Sequence, residues 1–292
     1  MTVMKTIACL GTARETQCIG EALGPAGLRM RRVDGSDLDA IDSAPLDAAD
    51  PSAAMQQRAL LKARLAARRT GLRFGVSVAG YMGVDPHLRM LPWAFETIAW
   101  WDSGRSYAVF ESAGSSRPLG ARQLVWNWAG ARAAAERAGF PRQALVVGSP
   151  GDAAYCRGIV DPEQLHSALE QAWRDGDGAW LSVDPRTEFN PGRAELIGRV
   201  AVALAYRLAV RCGTCGAAGM SEIQGAQTAG QRLCHHCGAM ESPIPPLRTA
   251  GDGTSPQGAR RVSLRATPRI PADAQLGVVG SSRETARQAP EA

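Results

Sequence analysis

Four cysteines near the end of the chain are spaced for metal chemistry: Cys212-Gly-Thr-Cys215, eighteen intervening residues, then Cys234-His-His-Cys237. Two CxxC pairs at that separation suit a structural zinc site. Each pair folds as a knuckle with both sulfurs facing one metal, and the loop between them lets the second knuckle close a tetrahedron. Gly213, Gly216 and Gly238 supply the backbone freedom such turns need. Four thiolates fill the coordination sphere and leave no position for a reacting water, so zinc on Cys212, Cys215, Cys234 and Cys237 would be structural, not catalytic. A set of three cysteines and one histidine is the alternative. With four cysteines at matched spacing, His235 and His236 are expected to be exposed.

A second constellation is polar without being a motif: Asp184, Arg186, Glu188, Asn190 and Arg193, between an apolar run and a helical pattern. In open α/β sheets, ligands bind beyond the carboxyl ends of strands and near helix N-termini. Two arginines there could grip phosphate or carboxylate bidentately, while Asp184 fixes one of them or coordinates a metal. The same residues also read as a capping loop, with Asn190 before Pro191 and a structural Asp–Arg pair. Arg58, Lys62 and Arg69 fall near one face of a helix, either solvated or turned toward phosphate. His87 and His166 are isolated, no Ser/His/Asp triad can be assembled, and no Walker or GxGxxG loop is present. Cys156 precedes Arg157, a basic neighbour of the kind that lowers a thiol pKa.

The elements that must position these residues follow from periodicity. Thr6–Gly11 reads as a buried strand, Thr12–Leu23 as a helix stopped by Gly24-Pro25, and Leu28–Val33 as a second strand. Asp50-Pro51 starts a helix that runs to about Arg69. Phe74–Ala79 is a third strand before a turn bracketed by Gly80 and Gly83; Glu96–Trp101 and Ser106–Phe110 flank a hairpin turn. A helix over Leu124–Ala138, a strand over Ala144–Gly148, a helix from Asp161-Pro162 to Arg174 and a strand over Ala179–Val183 lead into the polar loop. A long amphipathic helix, Ala194–Val210, delivers the chain to Cys212. Four of the seven tryptophans lie between Trp93 and Trp126, where they are expected in the core, with a stacking surface as the alternative.

At 292 residues, with 45% apolar content, net charge +5 and pI about 9.0, the chain is an ordinary globular sequence with a modest basic excess. Only Lys5 and Lys62 are lysines. Seven cysteines, an odd number, point to metal-bound thiols in a reducing cytoplasm and not to a disulfide framework. The N-terminal apolar run is too short for a signal peptide, and Val200–Val210, interrupted by Tyr206 and Arg207, cannot span a bilayer. The expected organisation is an α/β domain over 1–210, a mixed sheet with flanking helices. A zinc ribbon over 211–240 and a disordered, Pro/Gly/Ser/Arg-rich tail over 241–292 complete it.

Two resemblances add to this. Ala59–Gly71 leading to Phe74, together with Thr6–Asp34, resembles the first hundred or so residues of inosine/xanthosine triphosphate pyrophosphatases. From about residue 6 to 240, the order of parts is similar to a bacterial domain-of-unknown-function family with a C-terminal four-cysteine zinc ribbon. Arg157-Gly158-Ile159, Asp184-x-Arg186, Asn190-Pro191-x-Arg193 and Cys212-x-x-Cys215 carry that likeness. The first resemblance implies a nucleotide or phosphometabolite ligand, with Lys62 as a phosphate contact and magnesium as a candidate second cofactor; the polar loop adds Asp184, Arg186, Asn190 and Arg193 as expected ligand contacts. The chain departs from the pyrophosphatase pattern at Thr12–Gln17 and at Ser77-Val-Ala79-Gly80, where acidic metal ligands are missing, with Asp85 a displaced candidate. Binding with weak or absent hydrolysis is therefore expected. The alternative is a nucleic-acid or protein-interaction module acting through the ribbon and tail, salt-sensitive in the first case.

Overall fold

Strands β1 (Lys5–Leu10), β2 (Leu28–Val33) and β3 (Phe74–Val84) run parallel, and β4 (Pro92–Asp102) and β5 (Tyr107–Ser115) add antiparallel, in the order β2-β1-β3-β4-β5. This is the mixed sheet expected from the strand–helix–strand opening. The computed structural model describes residues 4–33, 35, 41–42, 50–84, 92–115, 122–148, 154–174, 178–223 and 230–242. Asp85, His87 and the expected tail beyond 242 lie outside those residues.

Helix α1 (Ala13–Leu23) starts with a capping box: Thr12 Oγ1 accepts from Glu15 N at 3.3 Å and Thr12 N donates to Glu15 Oε2 at 3.0 Å. Helix α2 (Pro51–Thr70) covers the other face of the sheet. Its small-residue stripe, Ala59, Ala63, Ala66 and Ala67, brings the backbones so close that a Cβ at Gly75 would collide with the Ala63 carbonyl. Three layers result, with α1 and α5 (Pro191–Ala209) opposite α2. Ile7, Cys9, Ile19, Val76, Val78, Ile98, Ile197, Val200 and Leu204 are buried between the sheet and the α1/α5 layer.

A second sheet interrupts the first between β5 and α5. It consists of β6 (Gln123–Val125), β7 (Leu145–Gly148), β8 (Ala154–Ile159) and β9 (Ala179–Val183), all antiparallel, in the order β6-β9-β7-β8. Helices α3 (Trp128–Ala138) and α4 (Pro162–Arg174) cover one face, and Leu145, Val147, Ile159, Leu169, Leu181 and Val183 form a core separate from the first. Residues 5–209 thus hold two sheets. Ala144 N donates to Phe189 O and Asp184 N to Ala144 O, at 3.1 and 2.8 Å, which ties the second sheet to the loop before α5. All described elements lie in the compact unit spanning residues 1–257, and no helix among the described residues is long and apolar enough to cross a membrane.

Two local expectations need correction. Gly80–Gly83 is strand, because its backbone continues to pair with Trp93–Glu96. Leu124 and Val125 of the expected Leu124–Ala138 helix instead pair with β9; Asn127, whose side chain accepts from Gly130 N at 2.8 Å, caps a later helix start. In both cases edge-to-edge pairing overrides a local pattern.

Candidate functional site

The cysteine centre is built by one local geometry used twice. Gly216 N donates to Cys212 O and Gly238 N to Cys234 O, both at 2.8 Å; Cys212 N and Cys234 N donate to Ala217 O and Ala239 O, both at 2.9 Å. Gly216 and Gly238 sit at φ +70° and +78°, the left-handed region in which a side chain is strained. All four Sγ atoms lie within 4.8 Å of one another, with Cys212–Cys237 and Cys215–Cys234 each at 3.7 Å. A tetrahedral ion with Zn–S bonds of about 2.3 Å holds its sulfurs about 3.8 Å apart. The donor set therefore fits a metal ion such as zinc.

This ribbon is sunk into the first core. Cys212, Ala217, Met220 and Cys234 are buried together with Val109 and Leu208. Arg105 Nη2 donates to Cys215 O at 3.2 Å, and Arg207 Nε to Gly219 O at 3.2 Å. His235 and His236 are half-buried rather than exposed, because the docked ribbon turns them inward: His235 bonds Ser221 Oγ and His236 meets the Tyr107 ring edge-on at 5.5 Å. Neither belongs to the four-ligand set.

The second centre lies at the carboxyl ends of β1 and β3, where α1 and α5 begin. Arg193 Nε is 2.7 Å from Glu96 Oε1, and Arg193 Nη2 is 3.3 Å from Glu15 Oε1. Arg193 Nη1 donates to Pro185 O at 2.9 Å. Thr187 Oγ1 donates to Glu15 Oε1 at 3.3 Å, so the polar loop closes over α1. Glu96 is completely buried and stands opposite Gly80, where any Cβ would collide with its carboxylate. Lys62, 1% exposed, places Nζ 3.1 and 3.2 Å from the two Asp42 oxygens. Its helix face was expected to be either solvated or turned toward phosphate; the side chain is buried, and its charge helps to offset that of Glu96.

Electrostatics separate the carboxylates. Burial pushes the Glu96 carboxyl above the usual glutamate range against the pull of Arg193. Burial also works against the Arg193 charge, but Glu96 and Glu15 outweigh it and raise that pKa. At Asp184 the balance falls the other way. Burial raises it, but hydrogen bonds from the Arg186 guanidinium and from the amides of Arg186 and Gly158 prevail and hold it below the usual range. The contacts are short: Arg186 Nη2 and Gly158 N reach Asp184 Oδ2 at 2.6 and 2.9 Å, and Arg186 N reaches Oδ1 at 2.9 Å.

The sequence-derived residues thus divide. Arg193 enters the Glu15–Glu96 cluster, with Lys62 acting on it through space; Asp184, Arg186 and Asn190 form a neighbouring scaffold. In it Asn190 Oδ1 caps Arg193 N at 2.9 Å, Asn190 Nδ2 donates to Asp184 O at 3.2 Å, and the Arg186 guanidinium lies over Phe189. Glu188 is exposed. Arg186 and Arg193, expected to grip an anion, are each held by a carboxylate. Glu15 and Glu96 were not singled out. The segment Ser77–Gly80 was read as lacking a carboxylate; Glu96 of the adjacent antiparallel strand lies opposite Gly80, and the signal for it was a lone charge in an apolar run, Ala94–Trp101. The remaining cysteines are less reactive in setting: burial pushes the Cys9 thiol up to about 11, and Cys156 is half-buried against the second core.

A family model described as "Domain of unknown function (DUF6671)" matches residues 62–245, more than half of the chain, from Lys62 to beyond the last cysteine. The chain belongs to this family. The DUF6671 match takes in part of the first sheet, all of the second, the polar loop, α5 and all four cysteines. No curated protein matches. A solved structure of a PelC dodecamer, a point variant from Paraburkholderia phytofirmans, is similar over 38% of this chain and 70% of its own, at 17% identity and TM-score 0.20, a likeness that carries no inference. None of these matches supports the pyrophosphatase resemblance.

Proposed function

We propose that this DUF6671 protein binds a nucleotide or another phosphorylated metabolite beside the Arg193 cluster, and that its four cysteines hold zinc as a structural brace. One observation carries the ligand reading: the enclosed Arg193 bridges two buried glutamates near the carboxyl end of β1, where α1 and α5 begin, and the buried Lys62, paired with Asp42, acts on Glu96 through space. Buried charge at that place in an open sheet marks functional sites more often than structural ones. Magnesium enters through Glu15 and Glu96. A divalent cation taken by the two carboxylates would release the Arg193 guanidinium to phosphate. Hydrolysis is expected to be weak or absent, since few carboxylates remain to hold a second ion or a water. A ribbon acting as a contact platform is less favoured, because two of its cysteines are spent on the core.

The test is a thermal-shift screen of zinc-loaded protein against nucleoside mono- and triphosphates, with and without magnesium. A ligand at about 100 times its dissociation constant stabilises by about 2.7 kcal/mol, roughly 5–11 °C for a domain of this size. A magnesium-dependent shift with one class is expected, and Arg186→Ala is expected to reduce it. A flat response to every class would overturn the proposal.

A further inference from the structure

The second sheet has helices on one face only. Gln123, Val147, Cys156 and Leu181 stand in one row on the helix side. Alternation puts Leu124, Trp180 and Gly148 in a row on the opposite side, with Val146 and Ser182 beside them. Leu124, Val146 and Trp180 are only half-buried, and helices α3 and α4 pack on the other face. Arg122 extends this face at the β6 edge, with its guanidinium over the Trp180 ring at 4.5 Å, and Arg157 is exposed at the β8 edge. Trp126 continues the β6 side beyond Leu124, and both side chains lie over Gly178.

We propose that this helix-free face binds single-stranded nucleic acid, with Trp126 and Trp180 stacking on bases and Arg122 and Arg157 meeting phosphates.

Charge and ring placement select this occupant. Arg73, Arg105, Arg186, Arg193 and Arg207 are each paired with a carboxylate. Among the described residues Arg122 and Arg157 have no such partner, and the face carries no acid. Trp128 and Trp173 are satisfied internally, by the His166 ring at 4.1 Å and by the Val125 carbonyl at 3.0 Å. Trp126 is 65% exposed, and its ring faces no other ring or cation among the described residues. Guanidinium groups without a carboxylate partner, beside the exposed Trp126 ring and the Trp180 ring that Arg122 overlies, complement a polymer that is anionic and bears planar rings. Four strands span about 14 Å from edge to edge, enough for two or three stacked bases on a sheet face.

The test is fluorescence anisotropy of the full-length, zinc-loaded protein with labelled oligo-dT and oligo-rU, against a duplex of the same length, over a salt series. Single strands of either sugar are expected to bind more tightly than the duplex. Trp126→Ala, at a site too exposed to affect folding, is expected to weaken binding about tenfold. Arg122→Ala with Arg157→Ala is expected to flatten the salt dependence by about 1.4 in log–log slope. Failure of the wild-type protein to bind either strand, or binding that Trp126→Ala and the double arginine variant leave unchanged, would overturn it. So would a preference for duplex.

Discussion

Helix α5 has Arg193 in its first turn and Cys212 three residues after its last, so it joins two centres that bury charge in opposite ways. At the Arg193 end, Glu15 and Glu96 find their counter-charge in the chain itself. At the cysteine end, four sulfurs within 4.8 Å of one another would carry charge that only an ion from outside can balance. The chain can assemble the first from its own residues; the second would be completed by a metal ion. That difference ranks the consequences of disturbing them.

The largest effect belongs to the metal. Structural zinc in small cysteine domains contributes about 10–16 kcal/mol of apparent binding free energy. A strong chelator, or Cys234→Ser, is accordingly expected to lower the melting temperature more than any substitution in the ionic cluster. Metal analysis should find about one zinc per chain. An unchanged melting temperature after complete metal removal would erase the contrast between the two ends of α5.

Next comes Arg193→Met, which leaves two buried carboxylates facing each other. Breaking a buried pair from one side costs about 3–5 kcal/mol. Adding Glu96→Gln should recover part of that loss in denaturant melts, since it removes the charge left without a partner. Equal stability of the single and double variants would mean that Glu96 and Arg193 are not coupled.

Smaller, and opposite in sign, are the pH responses of Glu96 and Asp184. Glu96 has a raised folded pKa, so the native state holds a proton that the unfolded chain has lost; its contribution falls as pH rises above about 4.3 toward the folded value. Asp184 has a lowered one, so its contribution is present above about 3.9 and is lost as pH falls toward the folded value. Melting curves against pH should show Glu96→Gln removing a downward slope on the alkaline side of that point and Asp184→Asn removing an upward slope on the acid side. A shared sign would contradict the environments described. The smallest effect is Trp126→Ala, expected within about 0.5 kcal/mol of wild type in the same melts because the site is exposed.

The cysteine centre was the most legible part because its ligands come as two local pairs, each needing only a few residues and a glycine to form. The first sheet was legible for a similar reason: β1, α1 and β2 follow one another along the chain and carry their own caps and stops. Glu15 was readable as the Glu of a capping box with Thr12, but its meeting with Arg193 joins residues far apart in sequence. Glu96 needed the β3–β4 register, which places it opposite Gly80. The second sheet was hidden because β6 is three residues long and runs into the Ala-rich helical pattern, and because β8 contains Gly158 at φ +71°. Lys62 was read as solvated or phosphate-facing, and helix periodicity could not reveal its partner, Asp42, 20 residues earlier.

Ligand binding at the Arg193 cluster is tested most directly by isothermal titration of zinc-loaded, full-length protein with ATP, with and without magnesium, in wild type and Glu96→Gln. Saturable binding that strengthens with magnesium in the wild type, and loses that dependence in Glu96→Gln, is the expected result. No heat in any arm, or the same magnesium response in both proteins, would contradict it.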